Sequence, residues 1–170
     1  MNKLPKQILL AGLCLLALTG QSLADSLSDA LRASDEGNHA KAAKLFGPLA
    51  DKGNAVAQFK LANMYYNGIG VAKNYKEALK LYRLSAEQGH TSSQSNLATM
   101  YYKGDGVPRD FVIAYMWKNI AATNAEGDRQ LRYFEQLKTL AKDMTARQIA
   151  EAQELAKKCT ATKFKGCKRK

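Results

Sequence analysis

Few residues of the kinds that carry catalytic or metal chemistry occur in this sequence, and their spacing keeps them apart. The two histidines, His39 and His90, are 51 residues apart and have no partners at metal-ligand spacing. No Ser-x-x-Lys sequence occurs, and the glycine pairs Gly68/Gly70 and Gly104/Gly106 match neither a phosphate-binding loop nor a nucleophile elbow. The sequence therefore predicts no catalytic residues, no metal and no cofactor, and a protein that is not an enzyme.

The first 24 residues have the pattern of an export signal. Lys3 and Lys6 precede an apolar stretch of 11 residues, and Ser22-Leu23-Ala24 supplies the small residues that signal peptidase recognises. That stretch is well short of the ~20 residues that span a bilayer, and no other long apolar run follows. We predict a Sec signal peptide over residues 1–24, no transmembrane segment, and a periplasmic protein, with secretion as the alternative.

The C-terminal segment combines two cysteines with a block of positive charge. Once Cys14 is removed with the signal, Cys159 and Cys167 remain, and an oxidising compartment favours a disulfide between them over two free thiols. Residues 157–170 contain no acidic residue and seven basic ones, which are Lys157, Lys158, Lys163, Lys165, Lys168, Arg169 and Lys170. We expect this segment to be either a solvated end or a contact for an acidic protein or an anionic envelope surface.

The position of the charge bears on the class of partner. The full chain has 26 lysine and arginine residues against 15 acidic ones, a net charge of +11. Residues 25–156, however, hold 17 basic and 15 acidic residues and are nearly neutral. A nucleic-acid-binding domain would spread positive charge over a folded face. We therefore expect no nucleic-acid partner.

A repeat of 36 residues organises the rest of the chain. Residues 58–71 align with residues 94–107 at this spacing, and residues 38–53 align with residues 74–89. Each unit has a helix-period apolar pattern, a glycine loop and a second helix-period pattern. Such self-similarity is typical of stacked helix pairs. The sequence predicts an all-α, right-handed solenoid of antiparallel helix pairs, with about eight helices after the signal peptide.

Local signals predict how these helices begin and pack. Asn74, Thr91 and Thr145 each stand three residues before Glu or Gln and predict capping boxes. Small residues at repeated positions would let paired helices approach closely; they are the alanines at 62, 78, 86, 98, 114 and 122. In the penultimate helix the inner stripe is predicted to be Leu131, Phe134, Leu137, Leu140 and Ala141.

The motif Leu61-Ala62-x-x-Tyr65, followed by Gly68-x-Gly70-Val71 and repeated 36 positions later, resembles the Sel1-like repeat family of tetratricopeptide-type solenoids. On this resemblance the chain divides into a signal peptide (1–24), an N-terminal capping helix pair or half repeat (25–54), two repeats (55–90 and 91–126), C-terminal capping helices (127–158) and a basic tail with the cysteine pair (159–170).

The resemblance implies that the first helix of each pair lines a concave, protein-binding surface. The residues expected there are Phe59, Asn63, Tyr66, Asn67, Ser95, Thr99, Tyr102 and Lys103. The alternative for Tyr66 and Tyr102 is that they complete the packing between helices. We expect a bacterial envelope adaptor, signalling regulator or immunity-type binder of a secreted effector. The alternatives are a cell-wall (muropeptide or β-lactam) binder or weak hydrolase, which the resemblance alone suggests, and an electrostatic binder acting through the basic tail.

Overall fold

Helix-forming segments separated by glycine or asparagine turns give an all-helical structure. The structure, a computed structural model, describes residues 23–167, so most of the predicted signal peptide, together with Lys168, Arg169 and Lys170, lies outside it. Its helices are α1 (Leu23–Asp35), α2 (His39–Asp51), α3 (Ala55–Asn67), α4 (Tyr75–Ala86), α5 (Thr91–Lys103), α6 (Phe111–Asn124), α7 (Gly127–Ala141) and α8 (Ala146–Ala161). The predicted all-α solenoid and the count of eight helices are confirmed for the described residues.

Polar side chains cap the N-termini of several helices. Asn54 and Asp110 accept hydrogen bonds from main-chain N–H groups three residues ahead, over 2.9 and 3.0 Å. Thr145 and Gln148 form the predicted capping box. The capping box predicted at Thr91 is wrong, because the N-cap of α5 is His90, whose Nδ1 accepts from the N–H of Ser93 over 3.3 Å. An imidazole nitrogen replaces the side-chain oxygen that usually fills this place.

The glycine loop inside each helix pair contacts the preceding pair. Gly70 and Gly106 have φ of +74° and +71°, values that favour glycine. A Cβ on Gly70 would lie 2.5 Å from the carbonyl carbon of His39, and one on Gly106 would lie 2.8 Å from that of Tyr75. Each loop therefore rests on the first residue of the second helix of the pair before it, and only a glycine fits there.

Packing follows the order of the helices. α3 packs against α4 and α5 against α6, while α4 joins the two pairs by packing on α5. The predicted close approach of the helices is confirmed, since the alanines at 62, 78, 86, 98, 114 and 122 are all fully buried. The large buried side chains between them include Phe46, Tyr82 and Trp117. None of the described helices combines the length and apolar character needed to cross a membrane.

Helix α7 presents a different face to the core from the one the sequence predicts. Leu131 is 65% exposed and Phe134 is 37% exposed, whereas Tyr133, Leu137 and Leu140 are buried. The buried residues follow the i, i+4, i+7 spacing of a helix face. α7 packs on α6, where the Tyr133 ring lies in a cluster of buried alanines. The prediction was wrong for Leu131 and Phe134 because two adjacent stripes of α7 are both apolar.

The chain after α8 folds back onto the body. Cys159 lies inside α8 and is bonded to Cys167, with their Cα atoms 5.1 Å apart. Both cysteines and Phe164 pack against the main core, and the Phe164 ring lies 3.4 Å from where a Cβ on Gly89 would be. Lys163 and Phe164 have positive φ, which reverses the chain direction. The disulfide thus ties α8 to a loop that is in contact with the repeats.

Candidate functional site: a groove of three hollows

Equivalent positions of successive units line a row of three adjoining hollows, which we call the groove. Each hollow is lined by the same four positions of its unit, and each position recurs 36 residues later in the next hollow. They are Phe46, Lys60, Asn63 and Asn67 in the first hollow, Tyr82, Asn96, Thr99 and Lys103 in the second, and Lys118, Arg132, Glu135 and Thr139 in the third. Their volumes are about 210, 250 and 430 Å³. Asn63 and Asn67 border both of the first two hollows, and Thr99 and Lys103 border both of the last two. The repeat therefore extends into α7, which takes the place of a first helix in a third unit.

The second hollow has a polar floor held by hydrogen bonds. The hydroxyl of Tyr82 and the amide nitrogen of Asn96 both donate to Oδ1 of Asn63, over 2.5 and 3.2 Å. Burial raises the pKa of Tyr82, so its hydroxyl stays a donor at neutral pH. The amide of Asn67, at the rim, donates to the carbonyl of Asn63 over 2.9 Å. These contacts fix the position of the groups that a bound chain would meet.

Two tyrosines, on α3 and α5, each bond to the turn that follows the next first helix, after α5 and after α7. Tyr66 donates to Oδ2 of Asp105 over 2.7 Å and also receives a hydrogen bond from Nζ of Lys103 over 3.4 Å. Burial, and then the Asp105 carboxylate, raise the pKa of Tyr66 to about 12. Tyr102 donates in the same way to Asp143 over 2.7 Å, and that hydrogen bond raises its pKa. Both tyrosines therefore hold the repeats together as well as bordering the groove.

The predicted binding residues divide into three groups. Five line the second hollow, namely Asn63, Tyr66, Asn67, Thr99 and Lys103, and the third hollow shares two of these and adds Tyr102. Phe59 packs instead against the rings of His90 and Tyr82, with centroids 4.6 and 6.2 Å away. Ser95 is buried at 5% exposure and contacts Lys118.

Lys118 is the residue of the groove that sequence reasoning missed. Its side chain is only 5% exposed, and its amine donates to the carbonyl and hydroxyl oxygens of Ser95 over 3.2 and 2.7 Å and to Oε1 of Gln136 over 2.9 Å. The amine also lies 5.4 Å from the centre of the Tyr133 ring. Within residues 23–167 it forms no ion pair, and burial lowers its pKa to about 8.

The sequence did contain a signal for this lysine. At the 36-residue spacing, Lys118 follows Phe46 and Tyr82, and Ser95 follows Phe59. An aromatic pair in one unit is thus replaced by a hydrogen-bonded serine and lysine in the next. A polar residue at a position that the fold fills with a ring elsewhere marks a candidate functional site.

The geometry of the Ser95–Lys118 pair favours binding over acyl transfer. Their 2.7 Å separation is within the range of a nucleophile and its base. Ser95 lies in the interior of α5, however, where main-chain N–H groups are already hydrogen-bonded within the helix and cannot stabilise an oxyanion. Among the described residues no group of three or more histidine, cysteine or acidic side chains is placed to hold a metal ion.

The histidines have different surroundings. His90 caps α5, and burial, together with the charge of Arg129, lowers its pKa, so the neutral ring that accepts from Ser93 is favoured. His39 begins α2 and is exposed beside the first hollow. Neither histidine is among the residues that line the third hollow.

Stacked helix pairs with a groove lined by the same positions of each unit define an α-solenoid repeat protein. Residues 55–90 and 91–125 match the Sel1 repeat, so the two central units of this solenoid are Sel1 repeats. A comparison with curated proteins finds no significant match.

Two solved structures are similar to the chain. One is c5321 of uropathogenic Escherichia coli, described as a protective antigen with an SLR fold, which has a TM-score of 0.77 and 31% identity over 86% of this chain. The chain spans 32% of the length of c5321. The other is a Sel1 repeat protein of Oxalobacter formigenes, with a TM-score of 0.59 and 24% identity over 91% of this chain and 72% of the other. At this identity, the second similarity is evidence for the fold alone.

Proposed function

We propose that the protein is an exported envelope protein that binds another protein through the groove, as an adaptor, a signalling regulator or an immunity-type binder of an effector. The observation that carries this proposal is the row of three hollows lined by equivalent positions of successive units. A segment of a partner in extended conformation could contact all three in turn. Sel1 repeats are in general scaffolds for protein interaction, which agrees with this use.

The chemistry of the groove suits a polypeptide. Asn63, Asn67 and Asn96 offer amide groups, which both donate and accept hydrogen bonds as a main chain does. Tyr66 and Tyr102 add aromatic surface that is held in place by Asp105 and Asp143, so little side-chain freedom is lost on binding. A preformed groove of this kind favours affinity because the ordering cost has been met on folding.

The disulfide supports export, and the start of α1 is compatible with it. The disulfide between Cys159 and Cys167 is the kind of bond that persists in oxidising compartments. The predicted cleavage bond after Ala24 lies in the first turn of α1, so cleavage would leave Asp25 at the helix N-terminus, where the helix dipole favours a carboxylate. Fractionation of cells that produce the full chain should place the processed form in the periplasm. An unprocessed chain in the cytoplasm would contradict export.

A capture experiment tests the groove. The affinity-tagged protein is recovered from the envelope of its native cells, and co-purifying proteins are compared with those of Asn67→Arg/Lys103→Glu, which alters two exposed residues of the groove. The control is Lys80→Glu, an exposed change on α4. The groove variant should lose a partner that the control keeps. Equal recovery of every partner by both variants would refute the groove as the binding surface.

The basic segment provides a second candidate function. Lys163 and Lys165 are exposed on a loop that Phe164 anchors to the body, which would present their charge at a fixed place. We propose that this segment contacts anionic envelope surfaces. Vesicles with anionic lipid should bind the wild type and release it as salt rises, while Lys163→Gln/Lys165→Gln binds less. Equal binding to neutral vesicles would contradict this proposal.

A further inference from the structure

We infer that the third hollow binds the C-terminal carboxylate of a partner polypeptide, with the carboxylate on the amine of Lys118 and the last side chain against the apolar wall. This inference rests on the proposed function, because it names the part of the partner that the groove recognises. Three observations support it: the hollow is lined mainly by positive charge, the fold does not require the amine of Lys118, and the hollow lies at one end of the groove.

The third hollow has an excess of positive charge. Lys103, Lys118 and Arg132 line it, with Glu135 as the one carboxylate among its lining residues. Glu135 is paired with Lys138 over 2.8 Å, outside the set that lines the hollow. A carboxylate that enters therefore finds three cationic groups and one acidic group among the lining residues, and one of the cations, Lys118, lies at low exposure where electrostatic attraction is strong.

The fold does not require an amine at this position. The equivalent positions in the other two units hold the rings of Phe46 and Tyr82, both of which are buried without charge. Burying an ammonium group that has only neutral acceptors is costly, whereas an aromatic ring in the same place stabilises. Lys118 is thus placed against the packing preference of its own repeat, as expected of a residue that serves a ligand.

One of the three acceptors of Lys118 can be exchanged for a ligand atom. Ser95 supplies two oxygens from the interior of α5, and these are fixed. The third acceptor is Oε1 of Gln136, an exposed residue of α7. A carboxylate oxygen that displaces this amide keeps three acceptors on the amine and replaces a neutral one with a charged one, which forms the stronger hydrogen bond.

The shape and position of the hollow point to a chain end with an apolar last residue. Its volume of about 430 Å³ is within the range of ligand pockets, and Ala98 and Leu140 contribute an apolar wall. It is the last of the three hollows, formed where α5 and α6 meet α7. The shared border at Thr99 and Lys103 leads into the second hollow, where the asparagine amides could bind the preceding main chain.

The test uses a random pentapeptide library synthesised once with free C-terminal carboxylates and once with C-terminal amides. The full processed protein is compared with Lys118→Tyr, which copies Tyr82, with Lys118→Met, and with Arg132→Gln at the exposed edge of the hollow. Lys80→Met is the control, because it removes one positive charge from an exposed site outside the groove. Binding is measured by fluorescence polarisation, and circular dichroism verifies that each variant is folded.

The inference predicts that free-acid peptides ending in apolar residues bind the wild type and Lys80→Met, and that their amides bind at least about tenfold more weakly. Both Lys118 variants should lose about the same factor for the acids alone, and Arg132→Gln should lose less. Equal binding of acids and amides would overturn the inference and leave the groove as a binding surface. If neither library bound the protein, the inference would also be overturned. The capture experiment tests the proposed function separately.

Discussion

The amine of Lys118 donates a hydrogen bond to the hydroxyl of Ser95 over 2.7 Å, at the two positions where the preceding unit packs Tyr82 near Phe59. This exchange places a buried cation in a repeat whose other members bury rings. It costs stability, because neutral dipoles compensate a desolvated charge only in part. The same exchange puts an amine among the residues that line the hollow between α5 and α7, which at about 430 Å³ is larger than the other two. Lys118 is therefore the position at which stability and ligand recognition can be separated by mutation.

Replacing Lys118 with methionine should stabilise the protein at neutral pH and leave the stability at high pH nearly unchanged. Its pKa of about 8 in the folded state lies below the ordinary 10.5, so the unfolded chain holds the proton more tightly. The stability of the wild type should then rise as pH increases from about 8 towards 10, by up to roughly 3 kcal/mol relative to Lys118→Met. Urea denaturation of both proteins from about pH 7 to about pH 10 measures this difference.

That titration has a matched control. Lys80→Met removes an exposed lysine, and its stability should follow the wild type at every pH. Measurements stop near pH 10 because Tyr66, with its pKa raised to about 12, contributes stability that is lost at higher pH. A constant difference between wild type and Lys118→Met across the range would contradict the buried, partly neutral amine.

Replacing Gly106 with alanine should destabilise the protein by about 3 kcal/mol or more, because the new Cβ would lie 2.8 Å from the carbonyl carbon of Tyr75. Gly53→Ala is the control, since Gly53 also has positive φ, at +87°, but a Cβ there meets nothing within 4 Å. Its cost should be about 1 kcal/mol, from the backbone strain alone. Thermal denaturation of both variants tests the contact, and equal costs would show that the loop does not rest on α4.

Replacing Tyr66 with phenylalanine should cost about 1–2 kcal/mol, because it removes the half-buried hydrogen bond to Asp105 and leaves that carboxylate without its donor. Tyr102→Phe should cost less, since its bond to Asp143 is exposed to solvent. Equilibrium unfolding in urea gives both values. If Tyr102→Phe were the more damaging change, the connection between units would lie elsewhere.

Removal of the disulfide, as Cys159→Ala/Cys167→Ala, should cost about 2–3 kcal/mol by the entropy of the short loop that it closes. The helical signal should persist, because Cys159 and Phe164 are only part of a core formed mainly by α1 to α6. The measurement is urea denaturation of the double variant and of the reduced wild type, which should agree with one another. Loss of all helical structure in the variant would mean that the loop is required for folding of the body.

The sequence alone determined the elements of this fold. The glycines at 70 and 106 indicate local backbone geometry, and the alanines at 62 and 98 indicate contact between helices. Such signals act over a few residues or recur at a fixed interval, here 36 residues. They gave the eight helices and the repeat, and the residues 58–71 gave the resemblance to Sel1 repeats. Five of the predicted groove residues line the second hollow for the same reason, since α3 contributes three of them and α5 presents the other two at the equivalent positions 36 residues later.

The tertiary structure decided which of two apolar stripes of α7 is buried, because only the docking on α6 distinguishes Leu137 from Phe134. It also brought Lys118 of α6 to Ser95 of α5 and Gln136 of α7. The type of each residue is visible in the sequence, but the loss of solvent around the amine depends on three helices at once. Burial and electrostatics are properties of that assembled surrounding, and they make the third hollow a candidate site for a carboxylate.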